Sequence, residues 1–152
     1  MNNLKKITSL FLTVILAMAI FTACSKGGSE PFDADKAFDR ILNEVKYAQP
    51  LSDISANAEY MFGDLPEGVA IKLFTAGDNC TDCAMMFKAK DQADVAAIQT
   101  SVNEYIDSMI KECKFYNPDE VPKLEKAVVF VKDLAVIAVV TDDVDTVNNI
   151  LK

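Results

Sequence analysis

Residues 127–141 read AVVFVKDLAVIAVVT, and this stretch decides the fold class. Two β-branched apolar runs flank a short polar break at Lys132-Asp133. Runs of this length and composition predict strands rather than helices. The break is short enough for a hairpin, although it lacks the glycine that two-residue turns favour. The second run, Leu134–Val140, is seven apolar residues without interruption. That is too short to cross a bilayer and reads as a strand buried in the core.

Working backwards, residues 91–116 predict the longest helix, capped by Asp91 or Asp94. Val95, Ile98, Val102, Tyr105, Ile106, Met109 and Cys113 recur at helical spacing along one stripe. Asn117-Pro118 stops the helix, and Asp119–Lys126 forms a connector with room for one helical turn. Before it, Val69–Thr75 and Cys83–Lys90 alternate as two strands of another hairpin. Residues 51–62 are ambiguous, with Ile54, Ala58, Tyr60, Met61 and Phe62 able to line a short helix. An N-terminal helix follows Asp33 or Asp35 and runs to about Tyr47, with Phe38, Ile41, Leu42 and Val45 on one face. After the last strand, Asp142 or Asp143 caps a final short helix through Val147 and Ile150.

The expected class is therefore α+β. A four-stranded antiparallel sheet, made of two hairpins, carries helices packed on one face. The order after the N-terminal helix is ββαββα, a doubling of pattern without identity between the halves.

The chain begins MNNLKKITSLFLTVILAMAIFTACSKGGSE. Lys5 and Lys6 precede an apolar run from Leu10 to Phe21, which small residues close at Thr22-Ala23-Cys24. This three-part order is that of a secretory signal. Phe21-Thr22-Ala23-Cys24 resembles the lipobox of bacterial lipoproteins, with Phe21 in place of the usual Leu. The resemblance implies cleavage before Cys24 and a diacylglycerol thioether on its sulfur. Residues 1–23 are read as the signal peptide. Residues 24–31, starting CSKGGSE, form the lipidated cysteine and a flexible tether, and residues 32–152 a single domain. More than one acyl chain gives stable anchoring, where a single chain is marginal.

Composition narrows the function. The first 23 residues carry two lysines and no acid, so the remaining 129 carry −10 against −8 for the whole chain. Such a domain repels nucleic acid and anionic lipid headgroups. The membrane is thus the expected partner only through the lipid on Cys24. There is no histidine. This excludes Ser-His and Cys-His nucleophile pairs and the commonest transition-metal ligand.

Four segments carry a further resemblance: Phe87-Lys88-Ala89-Lys90-Asp91, Tyr116-Asn117-Pro118-Asp119-Glu120, Leu124-Glu125-Lys126-Ala127-Val128-Val129, and Ala135–Asp143. Over most of residues 33–152 they make the chain similar to small lipoproteins of Firmicutes that form a domain-of-unknown-function family. The resemblance implies a place in the cell envelope and no known activity. The cysteines depart from the family pattern.

Cys80-Thr81-Asp82-Cys83 is a Cys-x-x-Cys pair open to three readings: a turn disulfide or inert thiols, a redox couple, or half a metal site. It precedes a strand, not a helix, and Asp78 and Asp82 beside it disfavour a thiolate. Zinc would need Asp78 or Asp82 to join Cys80, Cys83 and Cys113. Cys113 lies on the apolar stripe and reads as a core residue. Met61, Met85, Met86 and Met109 read as core filler rather than copper ligands. Asp142, Asp143 and Asp145 lack the spacing of a calcium loop and read as a capping run. No catalytic residue, metal or cofactor is assigned. The expected role is a non-enzymatic binding or interaction module of the envelope, with no deep polar pocket and with a protein or small-molecule partner that the residues do not identify. The alternative is a thiol-disulfide or thiol-metal protein using Cys80 and Cys83. A two-lobed solute-binding protein ranks last, since 129 residues are too few for two lobes.

Overall fold

Strands at Cys83–Lys88 and Ala135–Val140 pair antiparallel at the centre of the sheet, with Met85 opposite Ala138 and Met86 opposite Ile137. Nearly every residue of these two strands is buried, on both faces alike. A strand pair that is apolar on both sides must be covered on both sides. That requirement sets the architecture of the computed structural model, which describes residues 31–63 and 65–152.

The elements in chain order are α1 (Ala34–Glu44), β1 (Ser52–Asp53), α2 (Ala58–Phe62), β2 (Ala70–Thr75), β3 (Cys83–Lys88), α3 (Val95–Tyr116), α4 (Val121–Leu124), β4 (Val128–Lys132), β5 (Ala135–Val140) and α5 (Val144–Ile150). Short 3₁₀ turns at Ser55–Asn57, Gln92–Asp94 and Pro118–Glu120 lead into α2, α3 and α4. The sheet is five-stranded, in the order β1-β2-β3-β5-β4, and every neighbouring pair is antiparallel. The α+β class and both hairpins stand as expected. The expected count of four strands omits β1, a two-residue edge strand within the ambiguous stretch 51–62. It forms because Ser52 and Asp53 pair with Thr75 and Phe74, a contact distant in sequence.

The expectation of helices on one face is corrected. On one face Met85, Phe87, Val136 and Ala138 pack with Val95, Ile98, Val102 and Ile106 of α3, Phe62 of α2 and Leu124 of α4. On the other, Ala84, Met86, Ile137 and Val139 pack with Ala37, Phe38 and Ile41 of α1 and Val147 and Ile150 of α5. The two helices that follow the hairpins, α3 and α5, thus lie on opposite faces. The expected order ββαββα is matched only in part: β1 and α2 come between the N-terminal helix and the first hairpin, α4 precedes the second, and no symmetry relates the two ββα units in space.

The strand faces follow the alternation of the sequence. Leu73, with Val69 and Ile71, lies on the α3 face, while Phe74 lies on the α1 face. The α3 stripe is also as expected, with Val95 to Cys113 all contributing to that core. Asp33 caps α1, its Oδ1 accepting from the Lys36 N–H at 3.0 Å. The helix ends at Glu44 rather than near Tyr47. The segment after it is taken by tertiary hydrogen bonds: the Lys46 carbonyl accepts from the Thr141 hydroxyl at 2.7 Å, and the Lys46 N–H donates to Asp143 at 3.1 Å. Asp143 occupies the N-cap position of α5, but its carboxylate binds the Thr146 hydroxyl and Lys46 instead of a helix N–H. Asp94 stands at the N-cap of α3 without a side-chain cap. The second hairpin turns through Asp133-Leu134, one residue later than expected, with Lys132 opposite Ala135. Asp133 takes φ +50° in place of the glycine, a conformation Asp tolerates better than most residues.

Residues 32–152 form one unit. The signal peptide, Cys24 and most of the tether lie outside the described residues. Among the described residues no helix is long and apolar enough to cross a membrane.

Candidate functional site

The β2–β3 loop, residues 76–82, carries the Cys-x-x-Cys pair. Its two inner residues prove to be structural anchors. Asp82 is 1% exposed. Its Oδ1 lies 2.9 Å from the Lys123 ammonium of α4, as an ion contact rather than an aligned hydrogen bond. Its other oxygen accepts from the Ala48 N–H. Lys123 also reaches Glu120 at 2.9 Å. The same Glu120 oxygen accepts from the Thr81 N–H at 2.8 Å and the Thr81 hydroxyl at 2.7 Å. Asn117 adds a bond from its amide to the Asn79 carbonyl at 3.1 Å. The loop is thereby fixed to the turn after α3, to α4 and to the segment after α1.

The electrostatics fit a closed network. Burial works against the Lys123 ammonium, but Glu120 and Asp82 outweigh it and its pKa is raised. Burial likewise works against the Glu120 carboxylate, and hydrogen bonds from Lys123 and Thr81 outweigh it, so its pKa is lowered. Each charged group has an opposite charge at contact distance, which a buried charge requires.

The thiols of this site are not activated. Cys80, Cys83 and Cys113 are free. Cys83 is 2% exposed, at the start of β3 and within the α3-face core. Burial pushes its thiol up to about 12. Burial also raises Cys80, against a hydrogen bond from the Asp82 backbone and the Lys123 charge, with the Asp82 and Glu120 carboxylates adding to the rise, and it raises Cys113 with Glu112 and Glu120 adding to it. The direction is the one expected from the acidic neighbours, but desolvation is the larger cause. Cys113 packs against the α3-face core. Asp82, a candidate fourth zinc ligand, has its oxygens committed to Lys123 and Ala48. Among the described residues no group of three or more His, Cys, Asp or Glu is placed to hold a metal ion.

Two open depressions adjoin the site. One, of ≈ 420 Å³, is lined by Leu42, Tyr47, Pro50, Leu51 and Phe74 among others. The other, of ≈ 380 Å³, lies over Lys46, Tyr47, Asp82, Asp142 and Asp143. Neither gathers a nucleophile, a base and an orienting group of the kind acyl or phosphoryl transfer needs. Elsewhere the surface exposes large aromatic side chains: Tyr60 on α2, and Phe115 and Tyr116 at the end of α3.

The sequence reading missed the Asp82–Lys123–Glu120 network. Asp82 and Lys123 are 41 positions apart, and nothing in either neighbourhood marks a buried pair. The local signal was Lys123 itself, a charge beside Leu124 in a single helical turn that packs on the core.

No curated protein matches the chain, and no solved structure matches it. A family model does match over residues 70–141, from the first residue of β2 to the residue after β5. It takes in the Cys-x-x-Cys loop, α3 and the Asp82–Lys123 pair, and leaves out α1 and α5. Over this span the chain is similar to a domain of unknown function, DUF4358.

Proposed function

We propose that this chain is a membrane-anchored extracytoplasmic lipoprotein, held by a diacylglycerol on Cys24 and acting as a binding or interaction module. The observation that carries the reading is the sequence from Lys5 to Cys24: a positive start, an apolar run, and a cysteine placed where the small residues close it. The place where the folded unit begins supports it. That unit starts at Phe32, only eight residues after Cys24 begins the tether. Eight extended residues span at most about 29 Å, which keeps the domain close to the bilayer. The charge of −10 on residues 24–152 leaves the lipid as the attachment, because an acidic domain gains nothing from anionic headgroups.

The interaction role rests on exposed aromatics. Tyr60 is 91% exposed and Phe115 and Tyr116 are 84% exposed. Aromatic side chains are enriched at protein interfaces. The thiol alternative ranks lower, because burial holds Cys83 protonated at neutral pH.

The test is metabolic labelling of the full chain with a fatty-acid analogue. Label on the wild type and none on Cys24→Ser supports the reading, whereas label kept by Cys24→Ser overturns it. Cross-linking in intact envelopes through a photoreactive group at Tyr60 or Tyr116 then captures what the module binds.

A further inference from the structure

The two edges of the sheet are built differently. The β1 edge is two residues long and carries Asp53, a short, charged edge of the kind that resists pairing. The β4 edge is a full strand, Val128-Val129-Phe130-Val131-Lys132, with its one charge at the end and an unbroken register against β5. It has no proline and no bulge.

The direction of its backbone groups follows from the hairpin. The Leu134 carbonyl accepts from Ala89, on the β3 side of β5. Successive residues of a strand direct these groups to alternate sides, so Ala135, Ile137 and Val139 direct theirs toward β4. Their partners Lys132, Phe130 and Val128 are thus the bonded ones. Val129 and Val131 direct their N–H and C=O groups away from β5. Among the described residues these groups meet no backbone partner outside the sheet.

We infer that the β4 edge pairs antiparallel with β4 of a second copy of this chain, about a two-fold axis at Phe130, joining two sheets into one. With Val129 opposite the second copy's Val131, every outward group on both residues finds a partner. Neighbouring registers fail for stated reasons. A shift one way sets Lys126 opposite the second copy's Lys132. A shift the other way sets Val129 against the turn residue Asp133, whose φ of +50° takes it out of the strand.

Charge permits a second copy at this edge. Residues 24–152 carry −10, but within 125–134 Glu125 and Asp133 balance Lys126 and Lys132. Two acidic domains meet at this edge without like-charge repulsion across it.

The course of the chain agrees. Phe32 packs on Phe130, ring centroids 5.2 Å apart, on the α1 face. A two-fold axis perpendicular to the joined sheet keeps both copies of Phe32 on that same face. The chains leading back to Cys24 therefore start from one side of the dimer, as attachment to one bilayer requires. The pairing itself does not depend on lipid, so it stands or falls apart from the anchoring reading.

The test uses the full chain in mild detergent. Sedimentation equilibrium should give twice the chain mass, and Val131→Pro should give the monomer mass with an unchanged far-ultraviolet spectrum, since only an outward N–H is lost. A second measurement covers the case in which that variant misfolds. Phe130 faces its own symmetry mate, within disulfide reach of about 4.5 Å between Cα atoms. Oxidised membranes should yield a disulfide dimer from Phe130→Cys and none above the wild-type level from Val128→Cys. Monomer mass for the wild type at every concentration overturns the proposal. So does equal cross-linking of the two cysteine variants, or a Phe130→Cys adduct whose mass shows a different protein on the edge.

Discussion

The Lys123 ammonium and the Asp82 carboxylate stand 2.9 Å apart with side-chain exposures of 6% and 1%. Removing Lys123 leaves Asp82 charged, buried and without its cation, and removing Asp82 leaves the buried ammonium with Glu120 as its remaining partner, a loss of up to about 3–5 kcal/mol. Asp82→Ala and Lys123→Met are each expected to lower the urea midpoint strongly without changing the slope. The charge-free pair Asp82→Leu with Lys123→Met should recover part of the loss. A change below about 1 kcal/mol in either single variant, the size seen for exposed pairs, would mean the network is dispensable.

The three described thiols should differ in reactivity. In the reduced, native protein Cys80 and Cys113, both partly exposed, are expected to alkylate slowly, and Cys83 only on unfolding. Mass mapping after timed iodoacetamide treatment reads this order. Cys83→Ser places a hydroxyl in the apolar core and should cost about 1–3 kcal/mol, whereas Cys80→Ser should be close to neutral. Fast labelling of Cys83 under native conditions would reverse the assignment and reopen a redox role.

Stability should fall at both ends of the pH range. The Glu120 pKa in the folded state is lowered below its ordinary 4.5. Its contribution is therefore present above 4.5 and is lost as pH falls through the lower folded value. Cys83 has the opposite sign. Its thiol rises from 9.0 to about 12 on folding, so its contribution is present below 9 and is lost as pH climbs toward 12. Thermal melts across pH should show a plateau between these limits. Glu120→Gln should flatten the acid side, and Cys83→Ala the alkaline side. An unchanged acid limb in Glu120→Gln would contradict the role given to Thr81 and Lys123 in holding that carboxylate.

The second helical face can be tested through Phe38, which is fully buried against Met86 and Ile137 in the α1-face core. Phe38→Ala should cost about 3–5 kcal/mol in chemical denaturation. A cost near that of a surface substitution would mean α1 does not cover the sheet.

Much of this fold was legible in the sequence. Alternation in Val69–Thr75 and helical spacing from Val95 to Cys113 are local signals, and each identified its element and the face it buries. The two-sided cover was legible too, because an uninterrupted apolar run such as Ala135–Val140 has no solvent face. A strand apolar on both sides is incompatible with helices on one face only. What could not be read depends on pairs distant in sequence. β1 exists because of Thr75 and Phe74, and α1 stops because Thr141 and Asp143 bind the next segment. The site followed the same division. Cys80 and Cys83 were visible as a motif. That Thr81 and Asp82 between them face Glu120 and Lys123 follows only from the folded loop.

The most direct measurement is the mass of the N-terminal peptide from the membrane-extracted protein. Anchoring through Cys24 requires a peptide that begins at Cys24 and carries a diacylglycerol. An unmodified Cys24, or a chain that still begins at Met1 in the mature membrane fraction, would contradict it.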